Sequence, residues 1–382
     1  VQDDIKSRIA AVIQAYSAQG IHRTGTEVDE ISGDWLMRSI TDLGQVPEAE
    51  RFNFDRVVVK EAGVSLGKHR IEGVPLYDCS YTGPDGIEGS IGQLGSDSMI
   101  GLTVMEAGHP DRLRDYMDAR RQERHKAIIL VTDLQLPADG AAPLNAENFD
   151  SPFGPPVLQV PNENLAMLQR AAEEGQPVKL VVDCEYQQAE AVNVVCEIQG
   201  KDPTLAPLIV MTPRSGWWAC ASERGGGIAV FLEMLRYFGL NTPQRSIVFT
   251  ANTGHELGHT GLDHFLKTRA HLLQEAHCWI HLGANFAASI SPMVRLQFSN
   301  ADLRTQFMAI AGALRPGAET KVGERPLGEA RNVFDGKGDF VSILGGNGLF
   351  HHPADLYPEA VDLAATVAWS QVMVKMAAVL AE

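Results

Sequence analysis

The chain has 382 residues, 45% hydrophobic and 21% charged, with 36 glycines and 20 prolines spread along it. That length suffices for two domains or for one large domain carrying an insertion, and the composition excludes disordered and collagenous classes. A formal net charge of -16 repels phosphate backbones and anionic bilayers, so neither nucleic acid nor a membrane surface is expected as a partner.

In chain order, residues 2 to 18 and 28 to 43 read as helices separated by "HRTGTE", which supplies turn and capping residues. The first of them, "VQDDIKSRIAAVIQAY", is amphipathic and lacks the apolar region of a signal peptide. A strand follows at "RFNFDRVVVK". From about residue 60 to 186 the texture becomes short β-branched runs broken by Gly, Pro and Asp: "IEGVPLYDCS", "GSIGQLG", "AIILVTDLQL", "PPVLQVPN" and "PVKLVVDCEY". Helices are expected near 110 to 123 and 162 to 174, within a mainly β module. Strands and helices then alternate: "AVNVVCEIQG", "APLIVMTP", helix 226–239, "RSIVFTAN", helix 256–274, "HCWIHLGAN", helix 301–313, "DFVSILG" and helix 358–381. Such alternation argues an α/β sandwich with a parallel or mixed sheet, whose sites form at the carboxyl ends of strands. The tails of "LIVMTPRS", "IVFTANTGHE" and "WIHLGAN" are the places to look.

Cys79, Cys184, Cys196, Cys220 and Cys278 are odd in number and show no C-x-x-C spacing. They read as small buried hydrophobes in a reducing, cytoplasmic setting rather than as a disulfide framework or a thiolate metal site.

Residues 255 to 259, "HELGH", form a literal H-E-x-x-H. In a zincin both histidines lie in mid-helix and face the metal together. Here the motif follows a strand directly and is punctuated by Gly254, Gly258 and Gly261, each costing a helix interior about 1 kcal/mol against Ala. Gly261 and His264 also fall one residue too early for the longer H-E-x-x-H-x-x-G-x-x-H pattern.

"SIVFTANTGHELGHTGLDHFLK" instead resembles the strand, loop and helix of the zinc aminopeptidases of the transferrin-receptor and glutamate-carboxypeptidase superfamily, with its E-E-x-G-x-x-G-S loop. "VNVVCEIQGKDP" resembles the opening strand of that catalytic core, and "GLFHHPADLYPEAVD" its closing H-T-x-x-D stretch. The resemblance implies an aminopeptidase-like α/β sandwich with a mixed sheet over 1–59 and 187–382. Residues 60–186 resemble the family's inserted, mainly β protease-associated domain.

In this register His255 replaces the family's general-base Glu and Glu256 takes its metal-ligand Glu. Glu223, in "SERGGGIA", stands for the bridging Asp, and His351 for the last metal His. Thr212 and Arg214 replace the ligand His and its supporting Asp, while Gly283 replaces a further ligand Asp. Two of five ligands are thereby lost. The resemblance leaves Glu223, Glu256 and His351 as a set for one zinc or other divalent ion, the pattern of the glutaminyl cyclases, a branch of the same superfamily.

Arg214 and Arg224 add fixed positive charge near the place of the lost metal. One of them is expected to stand in for that ion, either neutralising Glu223 or gripping a substrate carboxylate, and reads equally as a surface or supporting arginine in a strand-end loop. Arg214→Met is then expected to abolish activity without unfolding. His255 begins near a working pKa and suits proton relay. It also reads as a metal ligand or as a hydrogen-bonded histidine. His259, His264, His281 and His352 lie close by and read singly as structural. Trp217 and Trp218 read equally as pocket wall and as packing. "RGGG" at 224 to 227 reads as glycine chosen for helix–sheet contact rather than as an anion site.

Three functional readings stay open. The first is hydrolysis of an amide or peptide-like bond in a small, carboxylate-bearing substrate at a single-metal site, with His255 and Arg214 catalytic and Arg224, Trp217, Trp218, His281 and His352 around the substrate. The second is a glutaminyl-cyclase-like enzyme. The third is a metal-free pseudopeptidase acting as a binding or assembly module. A homo-oligomer is compatible with each.

Overall fold

The computed structural model describes residues 2–105, 110–132, 135–312 and 318–382. Asp133 and Leu134 of the "AIILVTDLQL" run and residue 313 of the expected helix 301–313 lie outside the described residues.

The chain opens with α1 (Gln2–Ser17) and α2 (Glu27–Asp42). Thr26 accepts a hydrogen bond from the Asp29 amide at 3.3 Å, and Glu27, Asp29 and Glu30 fill the first turn, so capping and helix dipole agree on where α2 starts. Then come β1 (Pro47–Leu66), β2 (His69–Glu72), β3 (Val74–Pro75), β4 (Ile87–Gln93), β5 (Ile100–Val104), α3 (Pro110–Gln122), β6 (Ala127–Val131), β7 (Val157–Val160), α4 (Leu165–Glu173) and β8 (Pro177–Ile198). The second half holds β9 (Leu208–Pro213), α5 (Gly225–Leu240), β10 (Ile247–Asn252), α6 (Thr260–Arg269), α7 (Leu272–Glu275), β11 (Cys278–Leu282), β12 (Met293–Phe298), α8 (Ala301–Ala311), β13 (Glu319–Val322), α9 (Ala330–Asp335), β14 (Phe340–Gly346) and α10 (Leu363–Leu380).

Two expected strands, "PVKLVVDCEY" and "AVNVVCEIQG", are one continuous β8. It pairs antiparallel with β1 from Pro47↔Cys196 to Ser65↔Lys179, interrupted by a bulge between Val59 and Glu61. The expected boundaries at 59/60 and 186/187 therefore lie inside two long shared strands. On one side of β8 the order is β10-β9-β11-β14-β12-β13, and on the other it is β4-β5-β6-β7-β3. β10, β9, β11 and β14 are mutually parallel, so their carboxyl ends share one edge.

Helices cover both faces of this parallel section. Tyr16, Leu36, Phe231 and Trp369 of α1, α2, α5 and α10 pack with Val210, Phe249 and Ile280 on one face. Leu262, Phe265, Leu272 and Val333 pack with Ile209, Met211 and Trp279 on the other. α10 is, among the described residues, the one helix long and apolar enough to cross a bilayer, although Met373, Met376 and Ala377 of it are core residues. It starts at Leu363 rather than 358, since Asp362 caps it by accepting from the Ala365 amide.

The 60–186 segment is less purely β than its composition suggests. β4, β5, β6 and β7 run parallel, which requires crossovers; α3 makes the one from β5 to β6, and α4 leads from β7 into β8. β5 is missing from the sequence reading because "IGLTV" carries a glycine and no alternation.

Candidate functional site

At the carboxyl end of β10 the chain turns sharply. Gly254, Gly258 and His259 all hold left-handed φ, near 76°, 70° and 73°, and the amides of Leu257, His259 and Thr260 converge on the Gly254 carbonyl. His255 to Leu257 form a single 3-10 turn, and His259 precedes α6. The two histidines of "HELGH" therefore never share a helix face. Their rings stack with centroids 4.8 Å apart. A left-handed His259 is tolerated because its ring is held by Asn332 Oδ1, 2.9 Å from Nδ1.

His255 is buried and faces a second buried group, Glu329, with Nδ1 3.4 Å from Oε1. Burial drives the His255 imidazole well below its usual pKa, and the charge on Arg224 pushes the same way. Burial pushes the Glu329 carboxyl up to about 7. The pair is thus an imidazole that stays neutral beside a carboxyl poised near neutrality. Sequence reasoning missed Glu329, which sits in "PLGEARNV" with no motif around it and reaches His255 only through the fold.

Glu256 points elsewhere. Its Oε1 accepts from the Thr24 amide and hydroxyl, both at 2.7 Å, and its Oε2 from Ser215 Oγ at 2.7 Å. Thr24 lies just ahead of α2 and Ser215 just past β9, so the carboxylate ties the N-terminal segment to the strand end. The resemblance gives no hint of these three donors, which come from two residues.

Glu223 and Arg224 sit at the turn into α5. Asp355 Oδ1 and Oδ2 accept from the amides of Ser222 and Glu223 at 2.8 and 3.0 Å, fixing that turn from below. Glu223 Oε1 lies 2.7 Å from Arg224 Nη2 and 3.5 Å from His351 Nε2. Burial by itself would raise the Glu223 carboxyl, but Arg224 and His351 together hold it down to about 2. His351 donates from Nδ1 to the Pro143 carbonyl at 2.6 Å, which turns Nε2 toward Glu223.

The positions that resemblance marks as lost ligands have been repacked. Thr212 Oγ1 donates to the Leu282 carbonyl at 2.9 Å. At Gly283 a Cβ would meet His281 Cε1 at 2.6 Å, and at Gly328 one would meet the same atom at 2.9 Å, so the His281 ring occupies the space between these two glycines. Its Nδ1 is hydrogen-bonded with Ser342 Oγ at 2.8 Å.

The fold thus brings Glu223 and His351 together and leaves Glu256 fully engaged by other donors. Among the described residues no group of three or more His, Cys, Asp or Glu side chains is arranged to hold a metal ion. The donor set Glu223, Glu256 and His351 does not fit one zinc, because three hydrogen bonds hold Glu256 away and a guanidinium charge stands 2.7 Å from Glu223 Oε1, although both Glu223 oxygens and His351 Nε2 lack a hydrogen-bond partner among the described residues.

Several further assignments are corrected by position. Arg214 is sealed in the interior, 2.9 Å from Asp29 Oδ1, and donates to the carbonyls of Asp29 and Val192. It pins α2 to β8 and reaches no cavity. Trp217 is fully buried against Tyr77, and Trp218 donates from Nε1 to the His351 carbonyl. Both are packing residues. His352 is buried against Gly140 and Pro353, and His264 stacks on Phe52. The glycines of "RGGG" serve close contact, since Cβ atoms at Gly226 and Gly227 would meet Ala287 Cβ and Thr212 Oγ1 at 2.5 and 2.7 Å. All five cysteines are free thiols, four of them buried.

A cavity of about 570 Å3 opens over this strand edge. His255, His259, His281, His351 and Asn285 form its polar floor, and Leu76, Leu113, Tyr116, Met117 and Leu144 of the 60–186 segment and its border form an apolar wall. Arg120 anchors that wall by its buried pair with Asp78 at 2.7 Å. Arg295 and Arg331 also line the cavity, already paired with Glu319 and Glu147.

Comparison with known proteins bears on the fold and on one segment of the chain. Residues 193–340 match the model of peptidase family M28. The whole chain superposes on BSAP, a zinc aminopeptidase from Bacillus subtilis, with TM-score 0.77 and 16% identity over 98% of this chain and 94% of that one. The fold is aminopeptidase-like. A peptidase M28 precursor from Shewanella amazonensis gives TM-score 0.76 at 16% identity, covering 100% and 96% of the two chains. An aminopeptidase from Aneurinibacillus gives 0.71 at 13% identity over 97% and 93%. No curated protein matches the sequence. Within this aminopeptidase-like frame the matched segment runs from the middle of β8 to the start of β14 and carries Glu223, His255, Glu256 and Glu329.

Proposed function

We propose that the protein hydrolyses an amide or peptide-like bond in a small substrate whose apolar side chain lies against the wall of the cavity. The peptidase M28 match and the zinc aminopeptidases of like fold support the class of reaction. The observation that carries the reading is His255 on the cavity floor with the buried Glu329 facing its Nδ1. Resemblance places His255 at the general-base position, and a carboxylate facing Nδ1 orients an imidazole for proton transfer at Nε2.

In this mechanism Glu329 holds the Nδ1 proton of His255. Nε2 takes a proton from water as its oxygen forms a bond to the substrate carbonyl carbon. The same proton passes to the leaving nitrogen as the C–N bond breaks. The relatives' metal would supply carbonyl polarisation and a more acidic water; no step here is routed through it, because Glu223 and Glu256 are otherwise engaged. The carboxylate clamp expected of Arg214 has no place in this reading, since that side chain is sealed away.

The second reading, a non-catalytic binding module, is favoured by the closed Glu223–Arg224 pair. The two separate by experiment. A panel of aminoacyl amides and short peptides is offered to wild type and to His255→Ala. Turnover that vanishes in the variant supports hydrolysis. Binding without turnover in the wild type supports the module.

A further inference from the structure

Glu223 and Arg224 are neighbours in sequence, yet both side chains turn inward to one point, and each is held there independently. Asp355 fixes the Glu223 backbone, while Arg224 Nε donates to the Ser215 carbonyl at 2.8 Å. Among the described residues Nη1 and Nη2 have no hydrogen-bond partner, nor have Glu223 Oε1 and Oε2, and the contact that joins the two side chains is the ion pair of Nη2 with Oε1 at 2.7 Å. Neither side chain is more than 1% exposed. A fixed guanidinium is thus locked against the carboxylate that, by resemblance, would bridge two metals.

We propose that the Arg224 guanidinium occupies the electrostatic place of the divalent cation and that this centre works without a metal. Each of the family's five ligand positions is accounted for in that sense. Thr212 is turned to the Leu282 carbonyl, and Gly283 makes room for the His281 ring. Glu256 is saturated by Thr24 and Ser215. Glu223 is ion-paired, and His351 alone keeps a nitrogen directed at the cluster. A guanidinium nitrogen 2.7 Å from Glu223 Oε1 stands where a zinc bound to that oxygen at about 2.0–2.2 Å would have to sit, and its fixed positive charge opposes a second cation at the same carboxylate. Because Arg is not deprotonated in proteins, this charge persists at every working pH.

The inference does not depend on the hydrolase reading, since it concerns ion content rather than turnover. Protein purified without chelator is analysed for zinc. It is then titrated with Zn2+ by calorimetry and with Co2+ by visible absorption. Wild type is expected to carry no stoichiometric metal, to show no Co2+ band and to keep its melting temperature when Zn2+ is added. Arg224→Ala is expected to melt lower and to recover part of that loss with Zn2+, because Glu223 and His351 then face a space without a cation. In the Glu223→Gln/Arg224→Ala double variant the Zn2+ effect is expected to vanish. Wild type holding one zinc per chain, lost on Glu223→Gln, overturns the proposal, and so does a folded Arg224→Ala indifferent to Zn2+. If Arg224→Ala does not fold, the wild-type measurements decide. Failure of turnover on every substrate sinks the hydrolase reading and leaves these ion measurements untouched.

Discussion

The Arg224 guanidinium stands 2.7 Å from Glu223 Oε1, with both side chains closed off from solvent. Removing one member of such a pair strands the other, at a cost of about 3–5 kcal/mol, whereas replacing both with apolar groups is often near neutral. Arg224→Met is therefore expected to lower unfolding free energy by that amount, and Glu223→Met/Arg224→Met to recover most of it. Urea unfolding of the three proteins checks this. Equal losses in the single and double variants would show that the two charges do not compensate each other.

Arg214 and Asp29 make a second sealed pair, 2.9 Å apart, with Arg214 also donating to two carbonyls. Arg214→Met is expected to cost about 3–5 kcal/mol of stability. The sequence reading expected lost activity in a stable protein; burial of the Arg214–Asp29 pair makes lost stability the expected outcome instead. Thermal melts beside kcat of the folded fraction discriminate the two.

His255→Ala is expected to reduce kcat by about 10²–10⁴-fold, the usual worth of a proton-transfer group, with KM little changed. Glu329 must be ionised to orient His255, and burial places its pKa at about 7. Turnover should accordingly rise as pH increases through 7. In Glu329→Gln that ascending limb is expected to disappear, which a kcat/KM profile against pH reads directly.

Stability should also follow pH, with two opposing signs. Burial depresses His259 and His281 to about 3, so their contribution is full above the ordinary histidine pKa of about 6.5 and is lost as pH falls toward 3. Glu329 and Asp355 are raised by burial to about 7. Their contribution is full below the ordinary carboxyl pKa and is lost as pH rises through 7. Melting temperature against pH is expected to be flatter on the acid side in His281→Gln and on the alkaline side in Glu329→Gln.

A Cβ at residue 283 would lie 2.6 Å from His281 Cε1 and 3.0 Å from Leu344 Cβ. Gly283→Ala is expected to destabilise by about 1–3 kcal/mol through overpacking. A Gly283→Asp variant, which restores the family's residue type, is expected to fare worse. Calorimetric melts of both check the order.

What the sequence determined by itself was the mixed α/β class, most of the alternation of strands and helices in the second half, and that "HELGH" is no mid-helix motif. Those are local properties: hydrophobic period, turn residues and glycine spacing act over a few positions. The breadth of β1 and β8 escaped it because two runs that each look like a strand become one only when a partner pairs with both. The fates of Glu256, Arg214 and Glu329 were settled by tertiary structure alone. Thr24 reaches Glu256 across 232 residues of chain, and Glu329 reaches His255 across 74. A motif lists which donors are available, but a buried carboxylate binds whichever cation or amide the fold delivers to it first, and here the fold delivered hydroxyls to one and a guanidinium to another.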